Sequence, residues 1–270
     1  MSGRLRHIAR ETVDIAETGE YRNAAGELVD IRDHVADAIS GTRHYLPDDH
    51  LDVAQSPRSA PTIEVTDETT LTAARRLDTE GNTDTACLVF ASAKNPGGGF
   101  LGGAKAQEED LARCSALYRC QTTVPAFYEH HRLTRDLRYS DRVIYSPGVP
   151  VFRDEALKLL DAPYRTAFLT AAAPNLGAIT RNQPQYVDDV PHALRRRASR
   201  VLAVAAAQGH RNLILGAWGC GVFRNDPRQV AEAFAEGLRE VDRFDRVVFA
   251  VLDNRPQTPV RSAFTEVLAP

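Results

Sequence analysis

Two adjacent carboxylates, Glu108 and Glu109, follow a stretch that carries Gly97-Gly98-Gly99 and Gly102-Gly103. Glycine lets a backbone adopt positive φ and come close to a bulky ligand. A carboxylate just beyond such a loop, at a helix start, is well placed to give a proton to a departing sugar oxygen. The pattern predicts a loop that cradles a sugar-phosphate, with Glu109 as the proton donor. Neighbours on a helix diverge by about 100°, so Glu108 and Glu109 take different tasks. Glutamates also gather at helix N-termini because they complement the dipole, and that plain explanation stands beside the catalytic one. Close carboxylates tend to raise one of the two pKa values, which keeps one carboxyl protonated near neutrality.

A second such stretch, Gly216-Ala217-Trp218-Gly219-Cys220-Gly221-Val222-Phe223, also follows an apolar run. In open α/β sheets ligands gather at the carboxyl ends of strands, and the helix starts that follow favour anions. Two glycine loops facing one crevice suit a diphosphate. Neither loop has the spacing of a P-loop or of the Rossmann fingerprint. Phe223, past the glycines, is the better aromatic for stacking on a base or ribose, while Trp218 reads as core. The four cysteines, Cys87, Cys114, Cys120 and Cys220, show no C-x-x-C pairing and no histidine at metal spacing. Free thiols and no metal site are expected. His130-His131 reads as surface, and no Ser/His/Asp arrangement can be assembled.

The elements that position these loops alternate. Helices are predicted over residues 3–18 and Val29–Ile39, then a connecting loop from Tyr45 to Pro61. Strands follow at Thr62–Val65 and Ala86–Ala91, the latter a continuous apolar run suited to burial on both faces. Thr66-Asp67-Glu68 is expected to cap a helix reaching Leu77. One helix is predicted from Gln107 toward Cys120 and another over Pro125–Leu133. Arg142–Tyr145 reads as a strand ended by Ser146-Pro147-Gly148, and Ala167–Ala172 as a buried strand stopped by Pro174-Asn175. A helix over Val190–Gln208, a strand at Asn212–Leu215 and a helix over 227–240 come next, the last opened by Asp226-Pro227. A strand at Arg246–Leu252 and a helix over Thr258–Leu268 end the chain. This order implies a three-layer α/β/α sandwich around a mixed or parallel sheet. Residues 1–60 read as a helical extension packed on a main domain of residues 61–270.

Composition sets the outer limits. Of 270 residues, 43% are hydrophobic and 26% charged, as in soluble globular proteins. The net charge of −3 gives no basis for gripping a nucleic-acid backbone. No signal peptide or membrane span is recognisable, so a cytoplasmic protein is expected. No dimerisation segment stands out, and a monomer is assumed.

Gly97-Gly98-Gly99, seven intervening residues and then Gln107-Glu108-Glu109 resembles the signature of poly(ADP-ribose) glycohydrolases. The flank Phe90–Pro96, Ala171-Ala172-Ala173-Pro174-Asn175 and Gly216–Phe223 are similar to the bacterial-type branch, and the similarity runs from about Leu5 through Leu268. The resemblance implies a macrodomain fold that holds ADP-ribose between the two loops, with no metal and no cofactor. It implies that Glu109 is the catalytic acid and base and that Glu108 orients ribose hydroxyls. Asn95, Gly97, Gly98, Gly99 and Gln107 would contact the terminal ribose and diphosphate. Gly219, Cys220, Gly221 and Val222 would wrap the diphosphate, and Phe223 would help position the adenosine end. Arg224 departs from the glycine of some relatives and puts the shape of the second loop in question. Poly(ADP-ribose), ADP-ribose and poly(ADP-ribosyl)ated proteins are the implied partners, with cutting mainly from the chain end. Two rival readings stay open: an ADP-ribose-binding module without hydrolysis, and a hydrolase of mono-ADP-ribosylated proteins.

Overall fold

The computed structural model describes residues 2–53 and 60–268. Part of the loop expected over Tyr45–Pro61, residues 54–59, lies outside the described residues. The strands are β1 (Glu20–Arg22), β2 (Leu28–Asp30), β3 (Arg43–Tyr45), β4 (Thr62–Thr66), β5 (Thr85–Phe90), β6 (Val143–Arg153), β7 (Leu159–Ala171), β8 (Asn212–Gly216) and β9 (Arg246–Ala250). The helices are α1 (Ser2–Thr18), α2 (Arg32–Gly41), α3 (Thr70–Thr79), α4 (Gln107–Cys114), α5 (Leu117–Thr122), α6 (Pro125–Thr134), α7 (Leu176–Asn182), α8 (Val190–Ala207), α9 (Pro227–Glu240) and α10 (Pro259–Leu268).

Seven strands form one sheet in the order β3-β6-β7-β5-β8-β9-β4. From β7 to β4 all pairings are parallel, while β6 and β3 run antiparallel. Alternate residues of the central strands serve opposite layers, as the period of two demands. Leu88, Leu213, Leu215, Val247 and Phe249 pack with α8, α9 and α10, whereas Cys87, Val89, Ile214 and Val248 pack with α2, α3, α4 and α5. Both faces are covered, which is why β5 reads as an unbroken apolar run. The parallel register brings the carboxyl ends of β5, β8 and β9 to one edge, where both glycine loops emerge.

Several expectations are corrected. Residues 29–30 lie in a β1–β2 hairpin, because the Asn23 side chain accepts from Ala25 N and Glu27 N and Gly26 takes φ +82°. The cap of α3 is Thr69, whose Oγ1 accepts from Thr72 N at 3.1 Å. The helix expected from Gln107 to Cys120 breaks into α4 and α5. Extended Ser115 (φ −145°) bridges Val151, and Ala116 N–H donates to Pro150 O. Strand β6 continues past Ser146-Pro147-Gly148 through a register shift that absorbs the missing proline N–H. Strand β7 begins at Leu159, well before Ala167, because its first half is partly exposed and carries no apolar run.

The first sixty residues do more than add helices. Strand β3 pairs with β6 inside the main sheet, and α1 packs Ala9 against Phe100 and Ala112. Among the described residues no helix is long and apolar enough to cross a membrane, and no group of metal-ligating side chains is found.

Candidate active site

Helix α4 starts directly behind the end of β5, and its first three side chains point to different places. Gln107 is spent on the scaffold. Its Oε1 accepts from Phe90 N at 2.8 Å, and its Nε2 donates to Leu88 O at 2.7 Å and Thr70 Oγ1 at 3.0 Å. Glu108 turns inward and is 3% exposed. Its Oε2 accepts from Ser92 N at 2.6 Å and its Oε1 from Gln121 Nε2 at 3.1 Å. Glu109 stays half-buried, and its Oε1 accepts from Gly99 N at 2.9 Å. The two carboxylates differ in burial, yet both reach Gly98. A Cβ built there would lie 2.4 Å from Glu109 Oε1 and 3.0 Å from Glu108 Oε2.

Gly97 and Gly98 need their residue type, with φ of +63° and +58°. Gly97 N–H donates to Gln121 Oε1 at 2.8 Å, so one buried amide grips both the loop and Glu108. Gln121 is a residue that sequence reasoning missed. A glutamine in a helix interior has no local signal. Asn95 is exposed, with its N–H bonded to Ser92 Oγ.

Burial pushes the Glu108 carboxyl up to about 8, with a further push from Glu109, against the hydrogen bonds from Ser92 and Gln121. Glu108 is therefore held protonated at neutrality. Its proton destabilises the folded state as it is lost: between the ordinary carboxylate value and about 8 the folded chain holds a proton that the unfolded chain has released. Stability due to this group falls as pH rises through that window. His131 acts oppositely, since burial holds it down to about 3. Its neutral form gives stability that rises from there to about pH 6.5 and then stays level. The thermal midpoint is thus expected to fall from pH 6.5 to 8, by at most about 2 kcal/mol of stability, and to lose that slope in Glu108→Gln. A wild-type midpoint that rises over this window would contradict the assignment.

His131 corrects a reading as well. It is 1% exposed, bonded through Nε2 to Ser140 Oγ at 2.7 Å and packed edge-on against Phe127, so it is core and not surface.

The second glycine loop is braced from below. Gly219 takes φ +73°, and a Cβ there would meet Asn225 Nδ2 at 2.4 Å and Ala173 Cβ at 2.7 Å. Asn225, buried, donates through Nδ2 to Pro174 O at 2.9 Å and through its N–H to Gly219 O at 3.0 Å. The loop after β7 and the loop after β8 are thereby tied together. Gly177 N–H, in the first turn of α7, donates to Phe223 O at 2.8 Å. Arg224 adopts φ +59°, a left-handed conformation that a non-glycine residue enters at roughly 1–2 kcal/mol. The loop thus keeps its left-handed turn despite the arginine, whose side-chain stem lies over Gly177. Trp218 is core, with Nε1 donating to Ala171 O at 3.0 Å.

A cleft of about 990 Å³ opens at the carboxyl ends of β4, β5, β8 and β9. Phe90, Ala217, Val251 and Leu252 give it an apolar lining, and Glu68 and Asp253 supply polar groups. Of the residues singled out in the sequence, Gln107, Cys220 and Gly221 line it. The three glycines, Glu108 and Glu109 gather separately around Gly98, outside that cleft. Val222 is 84% exposed, and the Phe223 ring, 6.1 Å from that of Tyr139, does not face the cleft. That cleft is therefore not where the two carboxylates sit. The Gly99 N–H bond gives the Glu109 carboxylate a fixed geometry, which a reacting group needs more than volume.

The family described as microbial-type PARG, catalytic domain, matches residues 9–154, just over half of the chain. The structure of poly(ADP-ribose) glycohydrolase from Thermomonospora curvata is 52% identical with a TM-score of 0.92, covering 98% of this chain and 100% of that one. The same enzyme bound to the inhibitor ADP-HPD is 51% identical with a TM-score of 0.89, covering 98% and 99%. The enzyme from Deinococcus radiodurans in complex with ADP-ribose is 47% identical with a TM-score of 0.82, covering 89% and 99%. No curated protein sequence matches the chain. Identity of this order along almost the whole of both chains leaves one conclusion: the protein belongs to the microbial-type poly(ADP-ribose) glycohydrolases, glycosidases with a macrodomain-like fold.

Proposed function

We propose that Glu109 is the acid and base with which this glycosidase cuts ribose–ribose O-glycosidic bonds of poly(ADP-ribose), releasing ADP-ribose mainly from the chain end. The observation that carries this reading is the Gly99 N–H donated to the half-buried Glu109 carboxylate, against a glycine turn open to a ligand. Glu109 protonates the departing ribose oxygen while positive charge develops at the anomeric carbon, and the diphosphate of the ligand helps to stabilise that charge. The ionised carboxylate then takes a proton from water as it attacks. Glu108, neutral at pH 7, donates a hydrogen bond to a ribose hydroxyl. A neutral buried carboxyl is a donor that an ionised one cannot be.

Gly97–Gly99 and Asn95 border the terminal ribose, and Gly219–Val222 form the other wall of the diphosphate. Gln107 acts by holding α4 to the end of β5, since its amide is already bonded to backbone and Thr70. The adenosine end takes the apolar cleft beside Cys220, Phe90 and Val251. That leaves Phe223 to support the second loop. The chain acts in this reading as a cytoplasmic monomer on poly(ADP-ribosyl)ated proteins, without binding DNA.

Incubation with automodified polymer and, separately, with a mono-ADP-ribosylated protein tests the substrate. ADP-ribose released from polymer alone is the expected result. Release from the mono-modified protein would transfer the activity to the second substrate, and tight binding without product would reduce the chain to a binding module.

A further inference from the structure

Arg113 is fully buried, an expensive place for a guanidinium unless its hydrogen bonds serve some purpose. Its ionic partner is Asp110, at 2.7 Å from Nη1, whose side chain is 54% exposed. Its other strong contact is not with a charge. Nη2 donates to Ala104 O at 2.6 Å, and Nε has no partner. Ala104 belongs to the segment that returns from the three glycines to α4. Its N–H donates to Gly99 O at 3.1 Å, and its Cβ would lie 2.9 Å from a Cβ built on Gly99. Gly99 in turn holds Glu109. Arg113 stands one helical turn after Glu109 on the same helix. The contacts therefore close a ring: Glu109 to Gly99, Gly99 to Ala104, Ala104 to Arg113, and Arg113 back along α4 to Glu109. From the far side, Thr12 of α1 donates through Oγ1 to Arg113 O at 2.7 Å.

We infer that Arg113 is a positioning residue for Glu109: it clamps the return of the glycine loop onto the helix that carries the acid. The Gly99 N–H thereby stays aimed at the Glu109 carboxylate while polymer enters and leaves. The inference rests on Glu109 as the acid and base. Lysine at 113 keeps the charge but cannot span Asp110 and Ala104 with a planar fork.

The test uses the full chain with Arg113→Lys and Ala104→Gly, the second at an exposed position, where glycine keeps both backbone bonds but frees the backbone of the returning segment that Arg113 clamps. Each variant is measured for kcat and KM on polymer, for ADP-ribose affinity by calorimetry, and for thermal midpoint. Arg113→Lys should lower kcat roughly 10- to 100-fold, the scale of an ångström misplacement, with KM and ADP-ribose affinity near wild type. Ala104→Gly should lower kcat in the same pattern but less. Wild-type kcat in folded Arg113→Lys overturns the inference. So does parallel loss of kcat, affinity and thermal midpoint, which marks a residue that merely holds the fold. If Arg113→Lys does not fold, Ala104→Gly decides alone. Should Glu109→Gln prove fully active, the catalytic reading itself falls. A dead Glu109→Gln beside a fully active Arg113→Lys removes only the inference.

Discussion

Glu109→Gln is expected to lower ADP-ribose release from polymer by roughly 10²- to 10⁴-fold, the range for loss of a general acid and base. The substitution is nearly isosteric, and the amide oxygen can still accept the Gly99 N–H that now meets Oε1 at 2.9 Å. ADP-ribose affinity, measured by calorimetry, should therefore stay within a few-fold of wild type. What disappears is the transferable proton. Full activity in this variant would remove Glu109 from the chemistry. Equal loss of binding and turnover would instead mean that the carboxylate holds substrate and does not act on it.

Gly98→Ala should separate activity from stability in a way that few active-site changes do. The added methyl would stand 2.4 Å from Glu109 Oε1, at a φ of +58°. The nearest atom in its way is the end of a flexible, half-buried side chain, so Glu109 can move aside, and buried Glu108 Oε2, at 3.0 Å, need give by only a few tenths of an ångström. The fold then loses only the left-handed penalty of about 1–2 kcal/mol, while the acid is driven off its anchor. Turnover should drop about 10²-fold with a small change in thermal midpoint. Gly219→Ala offers the contrast, because its obstacles are buried Asn225 and Ala173, and the damage there should appear in the midpoint. A Gly98→Ala enzyme with normal turnover would show that the turn relaxes without disturbing Glu109.

The division between what could and could not be read from the residues follows the range of the interactions. Strands β5 and β8 announce themselves because burial on both faces demands unbroken apolar runs. The opening of α9 is equally local: Asp226 Oδ1 accepts from Gln229 N, with Pro227 at the first helical position. The break at Ser115 was illegible because its cause is β6, far along the chain, which takes the Ser115 and Ala116 backbone. The first half of β7 mixes exposed and partly buried residues in no regular order, so no run marks it. At the site, the different directions taken by Glu108 and Glu109 follow from helical geometry alone. Which of them sinks into the core does not, since Gln121 and Ser92 arrive from elsewhere. Gln121, Arg113 and Asn225 look like ordinary polar residues until the loops they brace are folded around them.

The bond from Thr12 to Arg113 joins residues 101 positions apart. During synthesis, α1 is made about a hundred residues before Arg113, and its Ala9 lacks its partners until Phe100 and Ala112 have followed. For that interval the helix lacks part of the tertiary packing from which a protein helix draws most of its stability, although Ile15 and Ala16 already have Tyr21, Ile31 and Val35 to pack on. The Ala9 contact and the Thr12 bond therefore form only after residues 100–113 have followed, and a nascent chain halted before residue 113 would lack that bond. A tag fused closely to the N-terminus loads the same joint, and its first symptom would be a slow enzyme with an intact sheet.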